Sequence, residues 1–95
     1  MNVQEYADYV IDNIAKVSPW KTLNITNKVL ENYDVNEFIT ALYNSANRID
    51  NLLSRYKVVV ALGEARKQAN NTLYKPNLQM TIDKLILDIH RSMTL

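Results

Sequence analysis

The chain contains no cysteine, one glycine and two prolines among its 95 residues. The lack of cysteine excludes disulfides and thiolate metal sites. The lone glycine, Gly63, excludes the glycine-rich loop that cradles phosphates in nucleotide-binding proteins. So few turn-forming residues also argue against a sheet of many strands. The composition therefore favours a few long helices.

An excess of charge of either sign is missing as well. Eleven basic residues stand against ten acidic ones, which gives a net charge of +1. A domain that binds nucleic acid through its phosphates is expected to carry a clear basic excess or a basic stripe. Since neither is visible, no direct contact with nucleic acid is expected.

Long apolar runs are absent from the sequence. No segment approaches the roughly 20 apolar residues of a membrane span, and no signal-peptide pattern is visible. We therefore expect a cytoplasmic protein that makes no contact with a membrane. One histidine without cysteines cannot build a zinc site, so no cofactor or metal is expected, although a site made of carboxylates stays open.

What the sequence does contain is apolar periodicity. Residues 3–17 and residues 78–93 each place apolar side chains every three or four positions, which is typical of a helix with one buried face. The second stripe is the most regular in the chain and consists of Leu78, Ile82, Leu85, Ile89 and Met93. Pro76 and Asn77 predict a turn and an N-cap before this last helix.

A second helix is predicted over residues 19–33, with Ser18 as its N-cap and Pro19 at its first position. Its apolar residues are spread widely, so this helix is either buried on two sides or begins a few residues later. Trp20 has two interpretations, since an aromatic here can be a core anchor or can face a partner protein.

A third helix is predicted to begin near Val35, because Asp34 and Glu37 have the spacing of a capping box. Apolar residues then follow in alternating steps of four and three, with Ser45 taking the place between the second and third: Phe38, Leu42, Ile49, Leu52, Tyr56 and Val59. This pattern predicts one inward seam. Whether residues 35–71 form one helix or two stays open, but without a Gly-Pro turn the sequence favours a continuous helix or a mere kink, with Ser54–Lys57 as the best candidate break. The β-branched run Val58–Leu62 is interpreted as helical, since no second strand could pair with it.

The sequence as a whole predicts an all-α fold. Residues 1–95 are expected to form a single domain, a bundle of four to five mostly antiparallel helices. No catalytic constellation is visible. His90 is predicted to be either a surface histidine or one at the C-terminal end of the last helix, where a cation suits the helix dipole. Asp8 and Asp12 share a helix face, but such a pair is more typical of solvation than of acid/base chemistry. An enzyme is not expected.

The six tyrosines and the width of the apolar pattern point to a protein interface. The third helix carries a second apolar register beside the first, formed by Ile39, Tyr43, Ala46, Leu53 and Val60. An arc this wide exceeds what a small bundle needs to bury. We predict that the interface includes Trp20, Tyr43 and Tyr56.

Residues 64–89 resemble the C-terminal end of the delta-prime subunit family of the bacterial DNA polymerase III clamp loader. Glu64-Ala65-Arg66-Lys67 is similar to the Glu-Ala-basic-basic start of one family helix, and the run from Asn77 to Ile89 is similar, without a gap, to the final helix. The chain departs from the family at Leu78, where the family usually has proline, and in a longer turn over residues 70–76. Residues 1–57 match only in being helical.

The resemblance implies a helical collar domain, by which clamp-loader subunits join side by side during DNA replication. The chain would then be a non-enzymatic oligomerisation module whose partners are other clamp-loader subunits or further copies of itself. It also implies an interface on the outer side of the last helix, at Ile86 and Leu87, with Tyr74 at the preceding turn. On this assignment, aspartate at Leu85 unfolds the domain, whereas aspartate at Ile86 or Leu87 spares the fold.

A different class of function fits the sequence equally well. A small helical inhibitor or immunity protein, of the type that phages and bacteriocin producers encode, would bind one protein target by surface complementarity.

Overall fold

The computed structural model describes residues 1–71 and 77–94 and confirms the predicted all-α bundle. These ranges contain five α-helices: α1 Val3–Asn13, α2 Leu23–Asn32, α3 Val35–Ser45, α4 Leu52–Ala69 and α5 Leu78–Met93. They also contain three 3-10 turns: Ile14–Lys16, Pro19–Thr22 and Ala46–Arg48. The second helix thus begins late, at Leu23, as one of the two interpretations of its sequence proposed.

Short polar side chains begin four of the five helices, because the first N–H groups of a helix need acceptors. The Asn2 side chain accepts from the Glu5 N–H at 2.8 Å, and the Glu5 carboxylate accepts from the Asn2 N–H at 3.1 Å, which completes a capping box. The other three caps are Asp34, Asn51 and Asn77. Those at 34 and 77 were predicted, whereas Ser18 makes no capping hydrogen bond through its side chain.

Residues 35–71 form two helices, and the break lies at residues 46–51 rather than at Ser54–Lys57. After the 3-10 turn, the backbone at Ile49 is extended, and Asn51 then caps α4. The Arg55 guanidinium donates from Nε and Nη2 to the Ile49 carbonyl oxygen, at 3.0 and 2.6 Å. A carbonyl that the break removes from the helical ladder thereby keeps a hydrogen bond.

One hydrophobic core receives side chains from all five helices. α5 packs against α4 and α2, and α1 packs against α3. The largest fully buried side chains are Phe38, Ile14, Ile39, Leu42, Leu62, Ile82, Leu85, Ile86, Ile89, Val10, Val29 and Val58. The predicted stripe of α5 is therefore buried at Ile82, Leu85 and Ile89, whereas Leu78 is exposed at the helix start.

His90 lies in the last turn of α5, as one of the two predicted alternatives has it, but it is buried and not a surface residue. Its Nε2 lies 2.9 Å from the carbonyl oxygen of Val17. Because a carbonyl only accepts, Nε2 carries the proton and donates it to this bond. His90 therefore ties the end of α5 to the loop that follows α1, and its role is structural.

Asp8 and Asp12 join α1 to the end of α3 and do not form an acid/base couple. Asp8 accepts from the Ser45 hydroxyl at 2.7 Å. Asp12 accepts from Nε and Nη2 of Arg48 at 3.0 and 2.6 Å, and this hydrogen-bonded guanidinium lowers the pKa of the Asp12 carboxyl. Both carboxylates are held by partners from another part of the chain.

An aromatic cluster around Tyr6 fills the space between α1, α2 and α3. The Tyr6 ring centroid lies 5.4 Å from that of Tyr33, 6.0 Å from that of Phe38 and 6.2 Å from that of Tyr9. Burial, together with the neighbouring Tyr33 and Tyr9 phenols, raises the pKa of the Tyr6 phenol from 10.0 to about 12. The fold therefore holds this phenol in its neutral form.

We expect the free energy of unfolding to fall as the pH rises above 10. The unfolded chain releases the Tyr6 proton near pH 10.0, whereas the folded chain keeps it until about pH 12. This contribution to stability is complete below the unfolded pKa and is lost as the pH rises through the folded one. Urea unfolding at pH values from 8 to 11 measures the slope, and Tyr6→Phe should flatten it. An identical slope in the two proteins would contradict the prediction.

Candidate protein-docking face

The outer side of α4 carries a continuous group of exposed apolar side chains. We call this surface the α4 face, and it consists of Leu52, Leu53, Tyr56, Val59, Val60 and Gly63. Leu52 is 73% exposed, Tyr56 is 67% exposed and Val60 is 44% exposed. Positions three, four and seven apart are neighbours on a helix, so these side chains form one surface and not scattered points.

The opposite side of α4 lies in the core. Its buried residues are Ser54, Val58, Ala61, Leu62 and Ala65. Three of these are small, which lets α5 pack closely against the helix. α4 is therefore apolar on two opposite sides, a pattern that normally belongs to a helix buried on both. In the part of the chain that the structure describes, nothing covers the outer side.

Gly63 lies at the C-terminal end of the α4 face and has an ordinary helical backbone, without positive φ. A β-carbon at this position would lie 3.5 Å from the Tyr43 hydroxyl, which is normal van der Waals contact. The fold therefore has room for alanine here. Glycine within a helix costs about 1 kcal/mol relative to alanine, so stability does not explain this glycine.

The basic side chains of α4 make no ion pair with a carboxylate of the described residues. Arg55 is engaged by the Ile49 carbonyl, and Arg66 donates to the Thr40 hydroxyl at 2.5 Å. Lys57 and Lys67 are exposed beside the apolar side chains. The acid of this helix, Glu64, already pairs with Lys84 of α5 at 3.3 Å.

Of the predicted interface residues, Tyr56 lies at the centre of the α4 face. Tyr43 is half-buried where α3 meets α4, with the guanidinium of Arg66 5.4 Å from its ring centroid. Its hydroxyl borders Gly63. The Tyr43 side chain therefore packs beside the α4 face, and most of its ring contacts other residues of the chain.

Trp20 is 70% exposed on the 3-10 turn before α2, so the core-anchor interpretation is wrong. The ammonium of Lys21 lies 5.3 Å from its ring centroid. Leu23 and Leu30 are also exposed on α2. This second apolar area has fewer large side chains than the α4 face.

The prediction that Ile86 faces outward is wrong, since this side chain is fully buried in the core. Leu87 is half-buried and borders a shallow depression with Met80 and Arg91. The buried side of α5 is wider than the regular apolar stripe of its sequence predicted, because α4 and α2 both pack on this helix. Tyr74 lies outside the described residues.

Sequence reasoning placed most of the α4 face on the wrong side of the helix. Leu52 and Val59 were assigned to the inward seam, together with Tyr56, because the seam was followed without interruption from α3. The break rotates α4 about its axis relative to the register of α3, so the α4 residues that continue the seam lie on the surface. The dipeptide Asp50-Asn51 was the available signal, since such residues favour turns and N-caps.

The remaining concave surfaces offer no catalytic arrangement. The groove between α4 and α5 has a volume of about 560 Å³ and contains the ion pair between Glu64 and Lys84. Within residues 1–71 and 77–94, no three histidine or carboxylate side chains come close enough to share a metal ion. Nor do these ranges contain a helix of the length and hydropathy that crossing a bilayer requires.

The chain matches no protein family model, no curated protein and no solved structure.

Proposed function

We propose that this chain is a non-enzymatic protein interaction domain that docks another protein on the α4 face. One observation carries the proposal: five large apolar side chains are exposed on one side of a helix whose other side is already buried. A contiguous apolar surface that folding leaves uncovered is typical of an interaction site. No arrangement of the described side chains offers a competing chemistry.

The size of the α4 face suits a limited interface. Fully burying a leucine or valine side chain contributes about 1.5 to 3 kcal/mol, and partial exposure reduces this. Association must also offset the loss of rotational and translational freedom. A few central side chains then supply most of the affinity, and Tyr56 has the position and chemistry of such a residue.

Two kinds of partner remain within this proposal. A domain that resembles the clamp-loader collar would join neighbouring subunits side by side, in the cytoplasm and in DNA replication. The resemblance placed the contact at Ile86, Leu87 and Tyr74. Because Ile86 is buried and Leu87 is half-buried, we place the contact of a collar-like domain on the α4 face instead. A free-standing inhibitor would use the same face to cover a single target.

Site-specific photo-crosslinking tests the proposal. A photoreactive phenylalanine analogue at Tyr56 is expected to capture a partner in the native host, whereas the same analogue at Lys16, an exposed residue of the 3-10 turn after α1, is not. Val60→Asp should abolish the crosslink, because it places a charge within the apolar contact. Since Val60 is 44% exposed, this variant should stay folded, which circular dichroism would verify.

Leu30→Asp is the matched control, because Leu30 is also an exposed apolar residue within a helix. It should leave the crosslink unchanged. The captured protein, purified and mixed with the chain, should bind the wild type and the Leu30 variant but not the Val60 variant. A crosslink that survives Val60→Asp would refute docking on the α4 face. Several clamp-loader subunits among the captured proteins would support the collar, and one inhibited target would support the alternative.

A further inference from the structure

We propose that the partner presents an acidic amphipathic helix to the α4 face. The apolar stripe of this helix would cover Leu53, Tyr56 and Val60, and its carboxylates would pair with Lys57 and Lys67. The inference rests on the proposed docking function and adds the chemistry of the partner.

Charge complementarity is the first argument. Elsewhere in the described ranges, Arg48 pairs with Asp12, and both Lys84 and Arg91 lie beside Asp88. Lys57 and Lys67 have no carboxylate partner among the described residues, which is also true of Lys16, Lys21 and Lys28, but Lys57 and Lys67 lie in α4 beside the exposed apolar side chains. Lys57 lies one turn from both Leu53 and Val60, and Lys67 lies one turn beyond Gly63. A partner that covers the apolar side chains thus meets two cations at the border of the contact.

The spacing of the two lysines defines what the partner must carry. They are ten residues apart in one helix, which corresponds to about 15 Å along its axis. A helix that packs along α4 presents side chains over this distance in about three turns. We therefore expect two acids about three turns apart at the border of the partner's apolar stripe.

Gly63 favours a helix as the occupant. Because the glycine has no side chain, the α4 face has a notch between Val60 and Lys67. Helices pack with their axes 8 to 10 Å apart, depending on the side chains at the contact, and small residues permit the shorter distance. A partner side chain or turn that enters this notch would explain why the position does not carry alanine.

A second copy of the chain fits the α4 face poorly. An antiparallel two-fold pairing that superimposes the apolar segments places Leu53 opposite Gly63 and Tyr56 opposite Val60. The two-fold axis then passes near residue 58, so the two copies of Lys57 meet each other. Like charges at an interface are unfavourable, whereas an acidic partner removes this repulsion.

An anionic membrane fits poorly as well. Each lysine near an anionic bilayer contributes about 1 kcal/mol, and stable attachment of this kind uses clusters of four to eight cations. Beside the α4 face lie two lysines, Lys57 and Lys67, that pair with no carboxylate in residues 1–71 and 77–94, and the exposed Asp50 lies near its N-terminal end. A net charge of +1 provides little additional attraction.

Selection from a library of displayed helices tests the partner's chemistry. The probe is an 18-residue amphipathic helix with leucine and alanine in its stripe and with glutamate, glutamine or lysine at random on its flanks. Selection on the whole wild-type chain should enrich glutamate at two flank positions about three turns apart. Selection on Lys57→Glu/Lys67→Glu should enrich lysine at the same positions, and Lys16→Glu should behave as the wild type does. An enriched acidic peptide should bind the double variant about tenfold more weakly.

The other outcomes separate the two proposals. If the selection enriches helices with no preference for charge, and Val60→Asp abolishes this enrichment, the proposal of an acidic partner is overturned. Docking on the α4 face then stands. Enrichment that Val60→Asp does not affect, or none at all, would overturn both. Binding of the chain to vesicles of phosphatidylserine and phosphatidylcholine that Val60→Asp abolishes would identify a membrane, not an acidic helix, as the occupant. Dimerisation in sedimentation experiments that Val60→Asp abolishes would identify a second copy of the chain.

Discussion

Replacing Ile86 by aspartate is expected to unfold the domain. Ile86 is fully buried where α5 packs between α4 and α2, so an introduced carboxylate would lie within the hydrophobic core. An unpaired charge in an apolar core costs several kcal/mol, about 4 or more. This is comparable with the whole stability of a small domain, about 5 to 15 kcal/mol. Circular dichroism at 222 nm and a thermal melt measure the loss.

The neighbouring residues supply the controls for this prediction. Leu85→Asp should have the same effect, since Leu85 is also buried. Leu87→Asp should retain a cooperative melting transition, because Leu87 is half-buried at the surface of α5. The sequence alone predicted a different order, with Ile86 tolerant of the charge. A native-like melt for Ile86→Asp would show that α5 presents another side to the core.

Replacing Phe38 by alanine should lower the free energy of unfolding by about 3 to 5 kcal/mol. Phe38 is fully buried, and its ring lies 6.0 Å from that of Tyr6, so its loss leaves a cavity between α1 and α3. Chemical denaturation monitored by circular dichroism gives this difference directly. Helical content should change little in the fraction that stays folded, because Phe38 acts through packing and not through helix propensity.

Phe38→Leu is the matched variant, since leucine fills much of the same volume. It should cost about 1 to 1.5 kcal/mol. The difference between the two variants then reports the cavity. Equal losses for both would mean that the aromatic contact with Tyr6 determines the stability at this position. A loss below about 1 kcal/mol for Phe38→Ala would contradict its assignment to the centre of the core.

Part of the candidate site was accessible from the sequence. An apolar pattern wider than a small bundle can bury was visible, and it correctly indicated exposed apolar surface on the segment after Phe38. Tyr56 was predicted for the interface and lies at the centre of the α4 face. Trp20 was also predicted, and it lies on a separate, smaller apolar area. Leu52 and Val59 beside Tyr56 were assigned to the inward seam, whereas Leu53 and Val60 belonged to the second register that indicated an interface.

The sequence by itself determined the helical elements, because their causes are local. Apolar periodicity, the caps at Asp34 and Asn77, and Pro76 act over a few residues, and such signals need no knowledge of the neighbouring helices. The all-α fold follows from them.

The tertiary structure decided which side of each helix faces the core. α4 is apolar on two opposite sides, so periodicity cannot choose between them, and the break before Asn51 changes the helical phase that the seam of α3 suggested. His90 and Ile86 are buried because the loop after α1 and the helices α2 and α4 close over α5. Burial depends on where the other helices lie, and that information is spread over the whole chain.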